Sequence, residues 1–121
     1  MNNLVTSVSS PLTFIACLQS DCASRFEEGV HIFYDFDDDE CLDDRLVTSL
    51  YEASSVYLTE HDTTAGGDRD TQEALRIFSV TSTPSLYFLY RGRIYKYYGI
   101  CEVEAILRNY RRLIDDAHSQ R

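Results

Sequence analysis

Apolar positions along the chain change period several times, and each change marks an element. Residues 12–18 and 30–34 are short apolar runs whose length suits strands. Between them Ser20 or Asp21 is placed to cap a short helix through Phe26, with Gly29 as its stop. From Leu42 the spacing becomes helical, with Leu42, Leu46, Val47, Leu50 and Tyr51 on one face, and this helix is expected to end near Ser54 or Ser55. Residues 56–60 read as a strand and 61–70, rich in Gly, Asp and Thr, as a loop. A short helix is expected over 71–78 with Ala74, Leu75 and Phe78 inward, then a turn over 81–83 that ends in Pro84. Residues 85–90 and 94–98 form two strands of a hairpin across Arg91, Gly92 and Arg93, closed by Gly99. The last helix, 101–118, carries Val103, Ile106, Leu107, Tyr110, Leu113 and Ile114 on one face. The pattern predicts β-α-β-α-β-α-β-β-α in one domain over residues 12–121, after a polar, flexible amino terminus at 1–11.

The joint between the strand at 30–34 and the following helix stands out chemically. Of the ten residues 35–44, seven are acidic, and Cys41 sits among them. In α/β folds the carboxyl end of a strand is where sites are built. The acidity extends over half the chain. Residues 1–60 hold twelve Asp and Glu against two Arg, whereas 61–121 hold eight against nine Arg and Lys. With a formal charge of −9 overall, a nucleic-acid surface and an anionic membrane surface are both disfavoured as partners. Arg91, Arg93 and Lys96 are too few to reverse that.

Four cysteines, Cys17, Cys22, Cys41 and Cys101, show neither a CxxC pair nor zinc spacing. Cys17, Cys22 and Cys101 read most simply as small buried residues. The histidines His31, His61 and His118 are scattered without ligand spacing, so neither a metal nor another cofactor is implied. The five tyrosines between Tyr87 and Tyr98 suit strand packing better than base stacking. The apolar run at 12–18 is too short to span a membrane and no basic leader precedes it, which points to a reducing cytoplasm.

The order of elements, with the residues at its joints, resembles the thioredoxin-like superfamily. Asp35-Phe36 stand six and five residues before Cys41, and Val80-Thr81-Ser82-Thr83-Pro84 stands before the hairpin, with Pro84 43 residues after Cys41. The resemblance covers about residues 12 to 118 and implies a thioredoxin fold: a central mixed sheet of four to five strands, flanking helices and a cis-proline at Pro84. It implies that Asp35 assists proton transfer at Cys41, and that the backbone beside Thr83 and Pro84 pairs with extended peptide segments. The family motif is broken, however. Its second cysteine is Asp44, its Gly-Pro is Leu42-Asp43, and its flanking tryptophans are Asp37 and Glu40. Dithiol exchange needs a resolving thiolate, which Asp44 cannot supply.

Four readings of the acidic turn compete with one another. As a monothiol redox site, Cys41 would work with Asp35 alone. A helix amino terminus favours its thiolate, but each carboxylate at about 8 Å opposes that by roughly 0.5 kcal/mol in water. As an aspartate-based phosphatase, Asp35-Phe36-Asp37 resembles the first haloacid-dehalogenase motif, yet Asp39 stands where Thr or Val is expected and Lys96 is the sole later lysine. A calcium loop would use Asp35, Asp37 and Asp39, but Glu40 replaces its glycine and Leu46 its final glutamate. The favoured expectation is a non-catalytic binding, chaperone-like or assembly module. Asp37, Asp38, Asp39, Glu40, Asp43, Asp44, Thr83 and Pro84 would then meet a protein or peptide partner with a basic or extended segment.

Overall fold

The structure, a computed structural model, describes residues 15–18, 25–37, 44–53 and 56–119. Their elements are β1 (Ile15–Leu18), β2 (Gly29–Tyr34), α1 (Asp44–Glu52), β3 (Leu58–Asp62), α2 (Arg69–Ile77), β4 (Ser85–Tyr90), β5 (Arg93–Tyr97) and α3 (Val103–Ser119), with one 3-10 turn at Thr64–Gly66. The strands form a single mixed sheet in the order β1-β5-β4-β2-β3. β2 and β3 run parallel, as their connection through α1 requires, and the other neighbours are antiparallel. The chain is an α/β protein.

The centre of the sheet explains why β2 and β4, His31 and Ser85 apart, are apolar or aromatic. Val30 and Ile32 of β2, with Leu86 and Phe88 of β4, enter one core with Leu46 and Leu50 of α1 and Ile106, Tyr110 and Leu113 of α3. Phe33, Tyr87 and Leu89 face the other way, onto Ala74 and Ile77 of α2 and onto Phe78. A strand covered on both faces has no solvent side to keep polar. Each large side chain removed from water in this way contributes about 1.5–3 kcal/mol.

The ends of the elements follow local chemistry. Asp68 caps α2 by accepting from the Thr71 amide at 2.8 Å, with Asp70 in its first turn and Arg76 in its last, matching the helix dipole. Arg91 and Gly92 both take positive φ (53° and 75°), the conformation a two-residue hairpin turn needs. Arg93 therefore lies in β5, opposite Tyr90, rather than in the turn. The Thr83–Pro84 peptide bond is cis.

Gly29 opens β2, opposite Leu89, and residues 19–24 of the helix expected before it lie outside the described residues. Two sequence expectations need correction. β3 sits two residues later than expected, so His61 and Asp62 are strand rather than loop. Its buried positions are Leu58 and His61, because a neutral imidazole packs against aromatic rings as an apolar group does. Cys101 is exposed, since it precedes α3 instead of packing beneath it. Cys17 lies in β1, and Cys22 lies outside the described residues.

Candidate functional site

Strand directions bring four connections to one margin of the sheet. β2, β3 and β5 all run toward it and β4 starts from it. Here lie Asp35, Phe36 and Asp37 after β2, Thr63 and Thr64 after β3, Ser82, Thr83 and Pro84 before β4, and the segment from Tyr98 to Cys101 after β5. Asp62 ends β3 at this margin, opposite Tyr34.

Two of these connections are fastened together through side chains. Thr64 Oγ1 lies 2.6 Å from Asp62 Oδ1 and 2.8 Å from Asp35 Oδ1. The same Asp62 oxygen accepts from the amides of Thr64 at 3.0 Å and Phe36 at 3.2 Å. Asp35 in turn accepts from the Asp37 amide at 2.8 Å, and the Thr63 amide donates to the Tyr34 carbonyl at 2.9 Å. The Thr64 hydroxyl, and after it the Thr64 and Phe36 amides, hold the Asp62 carboxyl below its ordinary value against a smaller opposing desolvation. Asp62 is thus a fixed anion at neutral pH. A hydroxyl has one hydrogen and two carboxylates compete for Thr64, so this knot concentrates acceptors rather than donors.

A second fastening sets α1. Glu60 accepts from Tyr34 through Oε1 and from Tyr51 through Oε2, both at 2.5 Å. The bond to Glu60 is the main reason that Tyr51 is raised to about 12. The helix that follows the acidic turn is thereby tied to the strand beside it.

At the same margin, around the start of β4 and the end of β5, is a cleft of about 340 Å³ lined by Ser82, Pro84, Lys96, Tyr97, Tyr98 and Cys101, with Ile32 and Leu86 among its walls. Lys96 Nζ stands 5.3 Å from the Tyr98 ring centre, and the Tyr97 hydroxyl donates to the Ile100 carbonyl at 2.6 Å. Phe36, Tyr98 and Ile100 are exposed apolar groups at the same margin. Although Cys101 is exposed, partial desolvation at the cleft pushes its thiol up, which leaves it protonated and weakly nucleophilic at neutral pH.

Of the expected site residues, the structure brings Asp35 and Asp37 to this margin together with Thr83 and Pro84, the last two exposed. Asp44 is the first residue of α1. Asp38, Asp39, Glu40, Cys41 and Asp43 lie outside the described residues. The sequence reading missed Asp62, Thr64 and Glu60. A signal was present for the first two: Asp-Thr-Thr after a strand is composition that bonds its own backbone. Nothing local marks Glu60, whose partners are 26 and 9 residues away.

One buried polar atom near this margin has no use in the knot. The Tyr87 hydroxyl meets no hydrogen-bond partner in bonding geometry among the described residues; the Ser85 hydroxyl, which donates to the Ser82 carbonyl, lies near it. Tyr87→Phe is therefore expected to leave stability unchanged or raise it by up to about 1 kcal/mol in urea unfolding. A loss above about 1 kcal/mol would show that the hydroxyl has a partner after all.

Comparison with protein-family models, with curated proteins and with solved structures finds no match to this chain. Among the described residues no helix is long and apolar enough to cross a membrane, and no group of three or more His, Cys, Asp or Glu is placed to hold a metal ion.

Proposed function

We propose that this chain is a thioredoxin-like protein without the dithiol, acting as a binding or assembly module. It takes a basic, extended segment of a protein partner along the margin described above. Support for the class comes from the order of elements from β2 to α3 and from Pro84 immediately before β4, in the cis form that the resemblance implies. Asp44 in place of a second cysteine, and a raised thiol at Cys101, argue against exchange chemistry.

The observation that carries the reading is the fastening of the turns after β2 and β3, by the Phe36 and Thr64 amides on Asp62 and by the Thr64 hydroxyl shared between Asp62 and Asp35. It holds Asp35 and Asp62 in place at the same margin as a cleft and exposed apolar groups. Carboxylates fixed in this way steer and orient a cationic partner, while Pro84 and its neighbours offer backbone and apolar contact.

A panel of extended basic peptides, titrated by fluorescence anisotropy, tests it. Lysine at Asp37, Asp38, Asp39 and Glu40 together should weaken binding at least about tenfold and leave the circular dichroism spectrum unchanged. Cys41→Ser should bind as wild type does. Unchanged affinity in the charge-reversed protein would sink the proposal, and loss of binding in Cys41→Ser would favour the monothiol reading.

A further inference from the structure

On the α2 face of the sheet two histidines 30 residues apart in sequence are neighbours. His31 Nδ1 in β2 lies 2.9 Å from His61 Nε2 in β3, with both rings buried. Phe33 stacks on His61 at 4.1 Å, Phe78 lies 4.9 Å from His31, and Phe26 meets both histidines edge-on. The proton positions follow from the partners. The Glu27 carbonyl, 2.6 Å from His31 Nε2, can only accept, so that nitrogen carries the hydrogen. Neutral His31 then has a lone pair at Nδ1, and His61 Nε2 must be the donor to it. One added proton, on His61 Nδ1, leaves that bond in place but sets a charge among buried aromatic rings. A second would set two N–H groups head-on at 2.9 Å inside an aromatic compartment.

Residues 25–28 cross this compartment, and each is held by a different element. Arg25 pairs with Glu73 of α2, and Phe26 packs on the rings. The Glu27 carbonyl accepts from His31, and Glu28 Oε2 accepts from the Arg91 amide at 2.7 Å. We propose that residues 25–28 form an acid-released strap, kept closed by the neutral His31–His61 pair and freed when that pair takes up protons.

The Glu27 carbonyl on His31 Nε2 favours such a charge, but desolvation by burial outweighs it. The strap brings Arg25, Glu27 and Glu28, with Arg25 paired to Glu73 and Glu28 turned to Arg91. α2 brings Asp70 and Glu73 beside Arg25 and Phe26. β4 brings Tyr87, the register partner of His31, and β2 brings Phe33. Among the described residues no carboxylate is hydrogen-bonded to either ring. Burial accordingly lowers both histidines, His61 to about 4 with the charge of His31 as a further cause. A group depressed in the closed form binds fewer protons closed than open. Opening is therefore favoured as pH falls from about 6.5 toward about 4, and is insensitive to pH above that window. For His61 alone, the opening constant should rise roughly thirtyfold between about pH 8 and about pH 5.

Solvent exchange of the His31 Nε2 proton, corrected for its intrinsic pH dependence, reads the strap directly by NMR. The expected result is that thirtyfold acceleration with unchanged protection of the Val30 amide, which is bonded to the Tyr57 carbonyl. Ring nitrogen shifts near neutral pH should show both histidines protonated at Nε2. His61→Gln keeps a donor toward His31 and should blunt the acceleration. A pH-independent exchange rate, a parallel loss of Val30 protection, an Nδ1-protonated His31, or a folded His61→Gln variant with undiminished acceleration would each overturn the proposal. The wild-type measurements suffice if that variant does not fold.

Discussion

Gly29→Ala is expected to destabilise the protein by at least about 3 kcal/mol and to lower Tm by roughly 10 °C or more. Two independent causes act at this position. Gly29 has φ of 135°, a conformation that L side chains rarely adopt. A Cβ built there would also lie 2.1 Å from the Tyr57 carbonyl oxygen. That oxygen cannot retreat freely, because it accepts from the Val30 amide at 2.8 Å and so seats β3 against β2. Relief of the clash would have to loosen the parallel pair that carries the margin with Asp35 and Asp62. Thermal unfolding followed by circular dichroism decides the matter: a Tm within a few degrees of wild type would show that the backbone there is unconstrained.

Phe88→Ala is expected to cost about 3–5 kcal/mol in urea unfolding, from lost burial together with the cavity left behind. The ring is fully buried at the middle of β4, with the rings of Tyr97 and Tyr110 at 5.4 and 5.3 Å. Those neighbours belong to a strand and a helix that are themselves packed, so collapse into the space is restricted. A loss this large is a substantial part of the 5–15 kcal/mol typical of a single domain. Phe36→Ala supplies the contrast. Its ring is 44 % exposed and touches Tyr34, so its removal should cost under about 1 kcal/mol. Equal losses at the two positions would contradict the burial described here.

The parts legible in the sequence were those set by local pattern. The strand at 85–90, the hairpin and the last helix fell within two residues of their observed ends, because continuous apolar runs, a glycine turn and a 3.6-residue period leave few alternatives. β3 was displaced because Val56 and Tyr57 look like strand and His61 and Asp62 look like loop. In the fold Tyr57 is exposed, whereas His61 is buried between Phe33 and His31. That inversion comes from a partner 30 residues away, which no window of sequence contains. The same limit hid the candidate site's fastening. The acidic turn was visible as composition, but its attachment through Thr64 to Asp62 depends on β3 lying beside β2. Cys101 was misjudged for a simpler reason: a cysteine preceding an amphipathic helix can fall on either side of it.

The strand order has one more consequence, for colloidal behaviour. Among the described residues β3 forms an outer edge of the sheet, where backbone groups invite a further strand from another molecule. This edge carries Glu60 and Asp62 within five residues, and both carboxylates are held in place by hydroxyl or amide donors. The groups that secure the margin internally also set like charges along the open edge, so that approaching edges of two copies repel each other.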